Sequence, residues 1–206
     1  MLKLAGKLVF TFVCLGFALS ASAFAENRVG AVTLTPMAGY HIFDGGLDLD
    51  NNASFGLALG YNITPEWGIE ADVRYTPTET DSSDSVDVDV WTFGVSALYH
   101  FQPAEALNPY LAIGLGGVVY DLSGTSHNNE DYMGYWGGGL KYAMTEDTAL
   151  RLDLRHILDL DDDSSLSGRD TTIRSHLSAM LGVAFQFGGA SARPVIEKRE
   201  AVPVVK

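Results

Sequence analysis

The chain has 206 residues, enough for one domain with a sizeable core, and carries 13 Lys and Arg against 26 Asp and Glu, a formal net charge of −13. That balance excludes a nucleic-acid partner, because binding phosphate needs a basic patch. Mean hydropathy is +0.09, and no helix-length apolar segment follows the first 25 residues.

The opening stretch is an export pattern. Lys3 and Lys7 precede an apolar run of about a dozen residues, Leu8 to Leu19, and small residues lead to Ala23-Phe24-Ala25. A Sec-type signal peptide over residues 1–25 is expected, cleaved after Ala25; the run is short for a membrane span of about 20 residues. Cys14, the only cysteine, lies inside it without a lipobox, so the mature chain is expected to have no thiol and no disulfide.

From there on, alternating segments of strand length are separated by turns. Strands are predicted near Ala31–Phe43, Ala53–Ile63, Trp67–Thr76, Val88–Phe101, Pro109–Asp121, Tyr132–Met144, Thr148–Leu158 and Thr172–Phe187. The connections sort by parity. Those after strands one, three, five and seven are long and polar, as in "PTETDSSDS" and "DLDDDSSLSGRDT". Those after strands two, four and six, "NITPE", "QPAEALN" and "TED", are shorter. An even count and long loops at one end predict an all-β fold, an eight-stranded antiparallel up-and-down transmembrane β-barrel over residues 26–189.

Each strand has two unlike faces. On strand three, Trp67, Ile69, Ala71, Val73 and Tyr75 alternate with Gly68, Glu70, Asp72 and Arg74. On strand seven, Leu150, Leu152 and Leu154 alternate with Arg151, Asp153 and Arg155. Strand six sets Lys141 opposite Trp136, Leu140 and Tyr142; strand eight sets Arg174, His176, Ser178 and Met180 opposite Leu177, Leu181, Phe185 and Phe187. Aromatic residues gather towards strand ends, as membrane girdles do: Tyr61, Trp67, Tyr75, Trp91, Tyr99, Phe101, Tyr142, Phe185 and Phe187. The apolar face is therefore expected to meet lipid, and the charged residues Glu70, Asp72, Arg74, Lys141, Arg151, Asp153, Arg155, Arg174 and His176 to fill the lumen.

The ending "LGVAFQFGG" resembles the final strand of OmpA-type small outer-membrane barrels, "NPYLAIGLGG" their fifth strand, and "GLALGYNITPEWGIEADVRY" their second and third. The resemblance covers roughly Ala31 to Gly189. It implies a cell outer-membrane location with both termini periplasmic, and contact with outer-membrane lipid and lipopolysaccharide. It also implies recognition by the barrel-assembly machinery through Gly182, Phe185 and Phe187, although Met180 stands where that signal has a polar residue. Many relatives continue into a peptidoglycan-binding domain; residues 190–206 read as a disordered periplasmic tail or the start of a linker.

Eight strands leave an interior just wide enough for side chains. The charged lumen is open to two readings: a salt-bridge plug with a structural and surface-interaction role, which the resemblance favours, or a narrow path for ions or small solutes. A surface binder acting through the acidic loops is a third. No catalytic role is expected. His176 and Ser178 have the spacing of a lipid A deacylase pair, but they face the lumen with no acid following. The five histidines show no metal-ligand spacing, and no metal or cofactor is implied.

Overall fold

The computed structural model describes residues 27–45, 49–80, 86–122, 128–161 and 172–190. The expected leader, the tail after Ala190 and much of the long loops lie outside them. The described residues form eight strands: β1 Val32–Ile42, β2 Asn52–Asn62, β3 Trp67–Glu79, β4 Asp87–His100, β5 Leu107–Leu122, β6 Asn128–Ala143, β7 Thr148–Asp161 and β8 Thr172–Phe187. Each pairs antiparallel with its chain neighbour, and β1 pairs with β8 to close the barrel.

The register fixes the barrel's dimensions. From Asn62 on β2, paired residues run through Gly68, Leu98, Ala112, Gly137, Arg155, Ser178 and His41. His41 in turn pairs with Asn52, so the circuit returns to β2 ten residues away (from 62 to 52), a shear of 10. With ~3.3 Å rise per residue and ~4.7 Å between strands, this gives a tilt of about 40° and a backbone radius of about 8 Å. That interior holds side chains and little else.

Side-chain direction follows the period of two. Along β3 the even-numbered residues from Gly68 to Thr78 are buried, and the odd-numbered ones reach the outer surface. The outer wall is apolar: Ile113 and Leu115 are 68% and 72% exposed, an arrangement a water-facing wall would not tolerate. Two aromatic belts bound it. At the short-turn, or terminal, end, where Asn27 and Ala190 lie, Trp67 is 4.9 Å from Tyr99 between ring centroids, and Tyr99 is 5.1 Å from Phe101. At the long-loop end, Tyr75 lies 4.8 Å from Trp91. Each residue of a strand tilted by about 40° climbs about 2.5 Å along the axis, so Trp67 and Tyr75 stand about 20 Å apart in height, close to the span of an outer-membrane apolar band.

Above the second belt the two faces exchange polarity. On β4, Val88 and Val90 point inward and are buried, while Asp87 and Asp89 point outward. Val88, Val90, Val118, Tyr120 and Phe43 form an apolar cluster inside the barrel there. Along this part of β4 the strand obeys the rule of a soluble barrel, apolar within and charged without, while Asp131, Asp159 and His176 face inward from the far side, Asp159 accepting from the Tyr120 hydroxyl at 2.8 Å. Tyr75 marks the boundary: its hydroxyl donates to Asp89 at 2.7 Å. Here the structure corrects the sequence reading, which took one facing pattern for whole strands and assigned the starts of "PTETDSSDS" and "DLDDDSSLSGRDT" to loops. β3 runs through Glu79 and β7 through Asp161.

The opposite end is drawn together by the residues before β1. The Asn27 amide donates to Pro103 O (2.9 Å), its side-chain amide to Pro65 O (3.2 Å), and Arg28 pairs with Asp147 (2.6 Å). One residue pair thus ties down all three short turns.

Candidate functional site

β3 and β7 stand on opposite sides of an eight-strand ring, and a radius of about 8 Å lets long side chains from both meet on the axis. Inward parity delivers Glu70, Asp72 and Arg74 from one side and Arg151, Asp153 and Arg155 from the other. All six are at most 7% exposed. They form one network of seven ion pairs.

Arg151 grips Glu70 with both terminal nitrogens, at 2.5 and 2.9 Å, and reaches Asp153 at 2.7 Å. Arg155 touches all three carboxylates: Asp72 at 2.7 Å, Asp153 at 2.8 Å and Glu70 at 3.0 Å. Arg74 reaches Asp72 at 3.1 Å and Asp153 at 3.2 Å, and donates to the Ser178 hydroxyl at 2.9 Å. Three guanidinium groups meet three carboxylates, so the network is neutral. Such charges are tolerable at membrane depth because each is paired and hydrogen-bonded.

Two tyrosines complete the layer. The Tyr110 hydroxyl donates to Asp153 at 2.7 Å and accepts from Arg151 Nε at 2.8 Å. Tyr135 donates to Asp72 at 3.3 Å. Their rings also lie against the guanidinium groups, with Arg151 Cζ 5.0 Å from the Tyr110 centroid and Arg155 Cζ 4.8 Å from that of Tyr135. Room for Tyr135 is made by Gly94 and Gly114: a Cβ on Gly94 would fall 2.5 Å from its hydroxyl, and one on Gly114 would overlap its ring. Neither tyrosine was singled out from sequence. Tyr135 shares the inward parity of Lys141, which was an available signal; Tyr110 lies on β5, where no lumen residue had been identified, and its facing follows only from the pairing of Asn108 with Lys141.

The remaining predicted lumen residues face inward without joining the network. Lys141 lies beside Arg151 across the β6–β7 ladder, towards the terminal end, with Nζ 5.8 Å from the Tyr110 centroid. His176 stands above, Nε2 3.9 Å from Asp159 and its ring 5.7 Å from those of His41 and Phe43. Arg174 is half-buried near the long-loop end and takes no part in the seven pairs. His176 and Ser178 make no bond to each other; the Ser178 hydroxyl is held by Arg74. A cavity of about 30 Å³ beside Lys141 and Asn27, and one of about 10 Å³ beside His41 and Tyr120, flank the network. Such volumes hold a few waters at most.

Of the residues expected to form an assembly signal, Phe185 and Phe187 point outward at the terminal end, 38% and 56% exposed. Gly182 points inward at the β1–β8 seam, where a Cβ would meet Met37 at 2.5 Å and Pro36 O at 2.6 Å.

Residues 11–190 match the family described as outer membrane protein beta-barrel domain. Among curated proteins the chain is similar to outer membrane porin F of Pseudomonas aeruginosa, 28% identical over 205 residues, which is 95% of this chain and 55% of that protein. The chain thus spans about half the length of that relative. Among solved structures it resembles neisserial surface protein A, with a TM-score of 0.60 at 21% identity, covering 77% of this chain and 99% of that one. OprG of Pseudomonas aeruginosa has a TM-score of 0.54 at 14% identity, covering 81% and 100%. Those two likenesses concern the fold. With a closed barrel, an apolar belt and a family match over nearly its whole length, the chain belongs to the outer-membrane β-barrel domain family.

Proposed function

We propose that the protein is a closed outer-membrane barrel with a structural and surface-presenting role, its lumen plugged by charged side chains, its long acidic loops outside the cell and its termini in the periplasm. The observation that carries this reading is the neutral six-residue network across the lumen, backed by the apolar layer of Phe43, Val88, Val90, Val118 and Tyr120 above it. An ion would have to break the first and carry water into the second. Orientation is supported by the parity of the loops and by the three short turns at the terminal end. Gly182, Phe185 and Phe187 serve as the signal for the assembly machinery, and lipopolysaccharide surrounds the upper wall.

Liposome swelling tests the closure. Vesicles holding the protein should not swell in an isosmotic small sugar; swelling faster than protein-free vesicles would favour the second reading, a narrow solute path, which the name of the porin relative supports. A cysteine placed in "DLDDDSSLSG" should label on intact cells with an impermeant maleimide and one at Glu146 should not; the reverse would overturn the orientation.

A further inference from the structure

The outer wall is not evenly filled. β6 presents Gly138 outward between Trp136 and Leu140, and the missing side chain opens a furrow of about 650 Å³. Leu111 borders it on one side and Leu152 and Leu154 on the other. A second furrow of about 470 Å³ shares Leu111 and Trp136 and carries the depression on to Trp67 and Tyr99 in the lower belt. This depression lies between the two aromatic belts, so what fills it is hydrocarbon. Its volume falls in the range of small-ligand sites, about 300–1,000 Å³.

At its upper end sits an outward-facing polar pair. His156 Nε2 lies 2.6 Å from the Ser175 hydroxyl, and the His156 ring meets Trp136 edge to face at 5.5 Å. Ser175 is exposed, and its backbone N–H donates to Asp44 in the loop beyond the wall, which places it where hydrocarbon gives way to head groups. His156 Nδ1 is covered and has no hydrogen-bond partner. A polar pair bordering hydrocarbon is costly unless something polar meets it. The Ser175 hydroxyl still has acceptor capacity to offer.

We propose that this furrow binds one acyl chain of an outer-leaflet lipid of the lipid A type, with the Ser175 hydroxyl, held by His156, accepting a hydrogen bond from the amide N–H or hydroxyl group at the head of that chain. The choice of leaflet rests on the orientation proposed above. The pair is assigned a binding role: among the described residues no carboxylate meets His156 Nδ1, the contact an acyl-transfer triad uses to orient its histidine.

Native mass spectrometry of the folded barrel in detergent, titrated with lipid A or with phosphatidylethanolamine, tests this. One lipid A should remain bound per barrel and outlast phosphatidylethanolamine. Leu154→Trp, which fills the furrow from an exposed position, should abolish retention; Leu152→Trp serves if that variant fails to assemble. Ser175→Ala with His156→Leu should weaken binding roughly two- to tenfold, the worth of one hydrogen bond. Equal retention by the filled variant, no retained lipid, equal retention of both lipids, a barrel dimer in place of lipid, or recovered lipid A short of one acyl chain would each overturn the proposal. The assay has no membrane sidedness, so its failure is distinct from a failure of the labelling experiment.

Discussion

Arg155 is the residue on which the lumen network turns, because it alone contacts all three carboxylates. Arg155→Met would leave a buried excess of negative charge. Removing one partner of a buried ion pair costs about 3–5 kcal/mol, so the urea unfolding midpoint in micelles should fall sharply. Lys141→Met is the control: Lys141 is also buried but joins none of the seven pairs, and its removal should shift the midpoint less. A larger effect for Lys141 than for Arg155 would contradict the arrangement. Glu70→Ala with Arg151→Ala should cost less than the two single changes added, since each single change orphans the other's partner. Zero coupling would mean that the two do not meet. Packing makes a separate demand at Gly114, where a Cβ would overlap the Tyr135 ring and press on Val95 O at 2.6 Å. Gly114→Leu should therefore lower the yield of assembled barrel, read as heat-modifiable mobility on gels, while Gly134→Leu, an outward position with nothing within 4 Å, should not.

At the scale of the strand, much was legible from sequence and one thing was not. Period-two alternation placed Glu70, Asp72 and Arg74 on one face of β3 and Arg151, Asp153 and Arg155 on one face of β7, and the structure has both sets facing inward. Which of those charges meet depends on the shear, a property of the closed circuit that no single strand encodes. Hence Lys141, with the same parity, stands off the network although its ladder partner Arg151 is at its centre. The exchange of polarity on β4 was present in "VDVDVW" as inward Val beside outward Asp, but a single facing rule applied to the whole strand hides it. It can be tested: Val90→Asp buries an unpaired charge among Phe43, Val118 and Tyr120 and should destabilise by several kcal/mol, about 3 or more. Asp89→Leu, outward and beside Tyr75, should be tolerated to within about 1 kcal/mol. The opposite ranking would mean that the long-loop end is not built as a soluble barrel. At the β8 end, Phe187→Ala should reduce the outer-membrane yield if the terminal aromatic serves assembly; an unchanged yield would remove that role.

For the molecule as a whole, two unlike layers close one narrow tube: ion pairs at membrane depth and a cluster of valine, phenylalanine and tyrosine side chains above the upper belt. Their physics differs, so each can be disturbed alone. Planar-bilayer conductance reads the result directly. The wild-type protein, reconstituted in the folded state, should give no steady current. Arg155→Ala combined with Val90→Ser, which loosens both layers, should give discrete openings, and either change alone should give fewer or none. A steady ohmic conductance from the wild-type barrel would contradict the closed lumen and make the narrow path the better account.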